Sequence, residues 1–435
     1  MDIETFYHDI FLKYRKISTD SRKMEHDSIF FSLSGETFNG NAFATAALNN
    51  GAAIAVVDDP NYHSNDGKHV LVDNTLSFLQ KLANFHRQHF TCPVIGITGT
   101  NGKTTTKELI SGLLSLEYKT YFTNGNLNNH IGVPLTLLSV NEQDAQFVVV
   151  EMGANHIGEI DDLCKIAEPD YGIITSIGKA HLEGFGSVEN IVETKTALYR
   201  SVSAKHGIVF VNANSEVLMQ HKPANNVVLY GNDGNNIHLN CVGTPHKGNL
   251  NVSFDWKYES MPKMQVNSNL YGQYNYENML AAACIASYFE VDVRKINVFL
   301  NSYRSHNNRS EIVHQGSNTM VYDAYNANPS SMKAALSHFL DVNNNNKVVI
   351  LGDMLELGPT TKQEHQNIVN MLINSNLADV YLIGDNFYTT DCTFKKFKNV
   401  AEAQAFFDNI VFKDNLILIK GSRGIKLETL KLHCI

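Results

Sequence analysis

Apolar positions along the chain fall into two kinds of run. Short continuous apolar stretches alternate with longer ones in which apolar residues recur every three or four positions. The first kind predicts strands buried on both faces; the second predicts amphipathic helices. Residues 28–33 and 52–57 read as strands, with a helix over 43–48 between them. Leu76, Leu79, Leu82 and Phe85 share one face of a further helix. From Cys92 onward, strands are predicted at 94–98, 147–151, 171–176 and 208–212, most of them followed by helical runs. That alternation predicts parallel β-α units with helices on both sheet faces. Residues 237–270 break the rhythm with short alternating runs and predict an antiparallel side sheet, followed by a long Ala-rich helix over 276–289. In a third block, strands at 319–322, 347–351, 380–383 and 416–420 alternate with helices, as in a second, smaller doubly wound unit. The expected fold is α/β in three domains, 1–91, 92–306 and 307–435.

Composition changes this picture little. A chain of 435 residues exceeds one ordinary core, and 43% hydrophobic with 18% charged residues reads as globular. No run has the length that a membrane-spanning helix needs, so no stable membrane insertion is expected. A formal net charge of −9 argues against a general nucleic-acid binder. The six cysteines form no C-x-x-C pair and read as free thiols in a reducing compartment. The acidic start, Met1-Asp2-Ile3-Glu4, has no signal-peptide pattern, which points to the cytoplasm.

The chemistry is concentrated after the strand at 94–98. Gly99-Thr100-Asn101-Gly102-Lys103-Thr104-Thr105 joins that strand to a helical run beginning near Lys107. A glycine-rich turn in this position cradles phosphate with backbone N–H groups at a helix N-terminus. Lys103 would reach the β/γ-phosphates, and the Thr104 hydroxyl would hold Mg²⁺. Only two residues separate Gly99 and Gly102, where the common P-loop has four.

Other candidates lie at strand ends, where open α/β sheets gather ligands. Glu151 closes an apolar strand and stands where either a cation ligand or a cap for a helix starting near His156 would stand. His181 lies in the loop beyond the next strand. Lys195 lies in the helical run 188–199, where nothing separates it from a solvated surface charge. Asn275 is placed to cap the Ala-rich helix or to bind a ligand, with Asn278 on the same side for a base or ribose. The polar loop Asp323-Ala324-Tyr325-Asn326-Ala327-Asn328-Pro329 reads as a binding loop or a helix start. Arg309 reads as a phosphate partner or a surface charge.

Taken in order, these stretches resemble the Mur ligase family of ATP-dependent amide-bond-forming enzymes. The carriers are 98–105, 128–134, 151–156, 180–186, 325–329, 352–358 and 420–423. Their order is most similar to the branch that joins D-Ala-D-Ala to UDP-MurNAc-tripeptide. Asn308-Arg309 stands where the family commonly carries Gly-Arg.

The resemblance implies a UDP-substrate domain, a central P-loop ATPase domain with its side sheet, and a C-terminal Rossmann-like domain. ATP and Mg²⁺ would be the cofactors, UDP-MurNAc-tripeptide and D-Ala-D-Ala the partners, and the chain a monomer. By the same carry-over, Gly99 through Thr105, Asn275, Asn278, Arg309 and Asp323 contact nucleotide. Ser21, Arg22, Gly35, Thr37 and Asn39 lie in loops for the UDP substrate, and Asn128 and Asn129 also contact substrate. Tyr325, Asn326 and Asn328 close on nucleotide and dipeptide. Thr104 and Glu151 hold one Mg²⁺; His181 and Lys195, the latter carbamylated, serve a second metal. Lys103, Glu151, His181 and Lys195 form the catalytic set, and no residue stands out as a general base. A sister ligase, folylpolyglutamate synthase or a non-catalytic P-loop regulator would share parts of this pattern.

Overall fold

In the computed structural model, residues 1–234, 237–305, 308–375 and 377–435 are described. The boundary expected at 306/307 falls outside the described residues. Three main sheets follow one another along the chain. The first is four-stranded and parallel, in the order Ile17–Ser18, Ser28–Phe31, Ala52–Val57, His69–Leu71. The helix Thr75–Arg87 turns its apolar face onto this unit, burying Phe78, Leu79 and Leu82.

The second sheet has nine strands. Its parallel centre runs Ile208–Asn212, Tyr171–Ile174, Val94–Thr98, Phe147–Glu151, Thr120–Phe122. Every residue of Val94–Thr98 and Phe147–Glu151 is buried, which is why these strands read as unbroken apolar runs. The antiparallel strands expected over 237–270 are Cys241–Pro245, Asn251–Tyr258 and Met264–Tyr271. They extend the main sheet, because Cys241–Pro245 pairs in parallel with Val227–Asn232 at its edge. Val94–Thr98 comes first along the chain; Thr120–Phe122 and Phe147–Glu151 then lie on one side of it and Tyr171–Ile174 and Ile208–Asn212 on the other, so the crevice at its carboxyl end is a topological switch point.

The third sheet has six strands, in the order Glu311–Gln315, Asn318–Asp323, Leu416–Lys420, Lys347–Gly352, Asp379–Ile383, Lys395–Phe397. All its pairings are parallel except the first hairpin. All six cysteines are free thiols, and burial pushes the Cys164 thiol up to about 12. No helix among the described residues is long and apolar enough to cross a membrane.

Several element bounds differ from the sequence reading for local physical reasons. The helix after the P-loop begins at Lys103, not near Lys107, because its first turn is polar and carries no apolar period. The helix after Glu151 begins at Glu159, behind Gly158 in a left-handed conformation, rather than near His156. The Ala-rich helix is Asn275–Tyr288 and is capped at Tyr274, with no side-chain cap. The cap expected of Asn275 is therefore not made. Its amide instead donates to Tyr271 O at 2.8 Å and Ser310 Oγ at 3.0 Å.

Candidate active site

The carboxyl ends of Val94–Thr98 and Phe147–Glu151 open into a cavity of about 1450 Å³. Its floor is the P-loop. Gly99 adopts φ 147°, and a Cβ there would come within 2.0 Å of Thr175 Oγ1. Gly102 adopts φ 82°, and its Cβ would meet Asn278 Oδ1 at 2.5 Å. Both positions therefore exclude side chains, and the loop packs directly on its neighbours. The first turn of Lys103–Leu114 aims its N–H groups, which have no intrahelical acceptors, at the cavity. Lys103 Nζ donates to Gly99 O at 2.7 Å and Thr100 O at 3.2 Å, and burial pushes its ammonium down.

Glu151 is almost fully buried, and its Oε1 accepts from Thr104 Oγ1 at 3.1 Å and from Asn128 Nδ2 at 2.7 Å. Its Oε2 has no hydrogen-bond partner among the described residues. Glu151 caps no helix, so the capping role open to it in the sequence is not taken. A buried carboxylate oxygen left unpaired is costly, and a hard cation satisfies it. A carboxylate beside a hydroxyl suits Mg²⁺, which draws the rest of its shell from phosphate and water. The described residues hold no cluster of three or more His, Cys, Asp or Glu that could bind a metal.

His181 lies at the cavity rim in a left-handed conformation and donates from Nδ1 to Glu356 Oε2 at 2.5 Å. Burial lowers its pKa, Glu356 opposes the shift, and Lys103 and Lys195 add to it. Lys195 is 2% exposed and makes no hydrogen bond or ion pair among the described residues; its Nζ sits 5.7 Å from the Phe185 ring centroid. Burial, with repulsion from Lys103, pushes this amine down to about 7. It is therefore not a solvated surface charge.

The third sheet reaches over the P-loop. Asn328 caps the helix Pro329–Asp341 and also donates to Asn101 Oδ1 at 2.8 Å, while Asn101 Nδ2 donates to Ser330 Oγ at 2.9 Å. The helix start expected of this loop is thus made, and the same residue contacts the P-loop. Asp323 accepts from Lys420 Nζ at 2.6 Å and from Ser310 N at 3.1 Å. Arg309 stacks on Tyr325, its guanidinium carbon 3.5 Å from the ring centroid. Asn308 just before it has φ 57°, a left-handed value that asparagine tolerates better than most residues, which explains why it can replace glycine there. Asn326 accepts from Ala327 N at 2.9 Å. Asn278 bridges Thr106 and Asn275, so its amide is committed to the protein.

Of the expected site residues, Thr100 through Thr105, Glu151, His181, Asn275, Asn278, Arg309, Asp323, Tyr325, Asn326, Asn328, Asn128 and Asn129 line this one cavity. Gly99 and Lys195 are not in its lining. Ser21, Arg22, Gly35, Thr37 and Asn39 are not in its lining. Arg22 makes two bonds of 2.9 Å to Asp20, holding that carboxylate down to about 2. Asn129 accepts from Gly132 N at 2.9 Å. Sequence reasoning missed Lys420, Tyr274, Ser310 and Lys107. The available signal for Lys420 was a charge closing an apolar strand.

Family comparisons bear on this geometry. Three domain models match in order: Mur ligase family, catalytic domain (13–87); Mur ligase middle domain (97–286); and Mur ligase, glutamate ligase domain (308–423). A UDP-N-acetylmuramoyl-tripeptide–D-alanyl-D-alanine ligase of Bacillus subtilis is 33% identical over 428 residues, covering 95% of this chain and 91% of the relative. The chain belongs to the Mur ligase family. Among solved Mur ligase structures, MurF from Acinetobacter baumannii superposes with a TM-score of 0.85 at 30% identity, over 96% of this chain and 92% of that one. MurF from Thermotoga maritima, solved in complex with ADP, gives 0.82 at 25% identity, covering 96% of each chain.

Proposed function

We infer that this Mur ligase joins D-Ala-D-Ala to UDP-MurNAc-tripeptide with conversion of ATP to ADP and phosphate, in cytoplasmic peptidoglycan precursor synthesis. One observation carries the reading: the P-loop, the unsatisfied Glu151 carboxylate and the Tyr325–Asn328 segment of the third sheet face a single cavity. Relatives bearing that activity in their names match nearly the whole chain.

In this reading the terminal carboxylate of the tripeptide attacks the γ-phosphorus of ATP. The bond to the β-phosphate oxygen breaks, and ADP departs. The dipeptide amine then attacks the acyl-phosphate carbon, the C–O bond to phosphate breaks, and the amine's surplus proton passes to solvent. Lys103 leaves its two carbonyl partners for the β/γ-phosphate oxygens and neutralises their charge. The helix N-terminus binds the same phosphates. Thr104 and Glu151 would hold Mg²⁺, which supplies charge neutralisation to the transferring phosphoryl group. Asn128 orients Glu151. Lys195, whose pKa burial lowers to about 7, is partly a free amine at neutral pH, and that form would add to CO₂ with release of one proton. The resulting carbamate, with His181, would offer oxygen and nitrogen to a second cation. Asn101, Asn328 and Ser330 hold the third sheet's loop over the phosphates, which brings the acceptor amine to the activated carbonyl.

The test is phosphate release from Mg²⁺ and ATP with UDP-MurNAc-tripeptide, with and without D-Ala-D-Ala. Release that needs both, with a product heavier by the dipeptide, is expected. Release with a different acceptor only would move the substrate to a sister ligase.

A further inference from the structure

Lys107 lies in the second turn of the P-loop helix, one turn beyond Lys103 and Thr104. It is 1% exposed, among the largest fully buried side chains. A buried ammonium normally meets a carboxylate. This one makes its hydrogen bonds only to backbone: its Nζ donates to Thr123 O at 2.9 Å and Gly125 O at 3.4 Å, while the Glu151 and Glu108 charges attract it through space. Those carbonyls begin the loop between the strand Thr120–Phe122 and the helix Gly132–Leu138. The same loop reaches Glu151 twice. Thr123 Oγ1 accepts the Glu151 N–H at 3.0 Å, and Asn128 Nδ2 donates to Glu151 Oε1 at 2.7 Å. Asn128 is itself pinned, since its carbonyl accepts from Gly153 N at 2.7 Å.

We propose that Lys107 is a positioning residue for the cation site, clamping the 123–128 loop so that Thr123 holds the Glu151 backbone and Asn128 its carboxylate, with Oε2 free. One helix thus supplies both halves of the site: Thr104 directly, and Glu151's orientation through Lys107 one turn later. The charge is the relevant property. An ammonium binds two carbonyls at once, whereas a neutral side chain of the same length leaves both unsatisfied and the loop unclamped. The proposal rests on the reading of Thr104 and Glu151 as cation ligands.

The test is Mn²⁺ binding in the presence of ADP, followed by the electron paramagnetic resonance of free Mn²⁺, with ADP affinity in EDTA measured alongside. In Lys107→Met, Mn²⁺ affinity is expected to fall about tenfold, the usual scale for losing a group that orients a metal ligand. ADP affinity without metal, set by the phosphate cradle, is expected to hold. Lys107→Arg, which keeps the charge and donors, is expected to recover part of the loss. Unchanged Mn²⁺ affinity in Lys107→Met overturns the proposal. Should that variant not fold, Asn128→Ala breaks the same relay at its far end, and wild-type Mn²⁺ affinity there is equally fatal. Glu151→Gln tests the underlying site separately: Mn²⁺ binding that survives it removes Glu151 as a ligand.

Discussion

Asn328 and Asn101 join the third sheet to the P-loop through one side-chain hydrogen bond of 2.8 Å. Asn328 also accepts from Ser331 N at 2.9 Å and so starts the helix Pro329–Asp341. The residue that begins a helix in one domain thereby sets that helix's distance from the phosphate cradle of another.

Asn328→Ser separates the two roles. Serine caps a helix about as well as asparagine but is too short to reach Asn101. Thermal melting is expected to stay close to wild type. The turnover number should fall between about tenfold and a hundredfold, the scale of small misplacements of bound reactants, while the KM for ATP changes little. Turnover at the wild-type level would show that the Asn101 contact does not position the loop.

Lys103→Ala tests the phosphate role. It deletes the ammonium but leaves the helix, whose interior favours alanine. A loss in turnover of at least about a hundredfold is expected, comparable to removing one preorganised donor from a developing charge. The far-ultraviolet dichroism should be unchanged. Near-normal turnover would remove Lys103 from the chemistry.

How far these residues could be read beforehand follows from what a one-dimensional pattern records. Val94–Thr98 and Phe147–Glu151 were legible to the residue, because a strand buried on both faces must be apolar throughout. The P-loop was legible because glycine is needed at both Gly99 and Gly102. Asn275 illustrates the opposite case. An asparagine before an apolar run looks like a cap, but the Ser310 hydroxyl that claims its amide comes from a residue far along the chain. From its own stretch of chain Lys195 read as an ordinary helical lysine, since only the tertiary fold reveals that it faces inward. Lys420 was hidden in the same way: its partner Asp323 lies on the neighbouring strand, directly in register.

The Lys420–Asp323 pair gives a stability prediction. Lys420 is 2% exposed, so removing one partner strands a buried charge. Lys420→Met is expected to destabilise the protein by about 3–5 kcal/mol. The double variant Lys420→Met with Asp323→Asn should recover part of that loss. It removes the stranded charge, and the carbonyl oxygen of the introduced amide would still accept from Ser310 N. Equal denaturant midpoints for the single and double variants would show that the two charges are not coupled.

Lys195 links pH to both stability and activity. Its folded-state pKa is pushed down to about 7 from an ordinary value of 10.5. Between those values the unfolded chain binds the additional proton, so this site's destabilising effect shrinks as pH rises from about 7 toward 10.5 and is fully present below 7. In CO₂-free buffer, where the amine is unmodified, Lys195→Met should therefore melt above wild type at neutral pH, with the gain shrinking as the pH approaches about 10. Activity has the opposite dependence on this residue. Only the neutral amine adds CO₂, so wild-type turnover should decline as the pH drops through about 7 and recover on adding bicarbonate at fixed pH. Lys195→Ala should be inactive and regain partial turnover with a small carboxylate such as acetate. An enzyme indifferent to CO₂ depletion, together with a fully active Lys195→Ala, would show that this buried amine takes no part in the site.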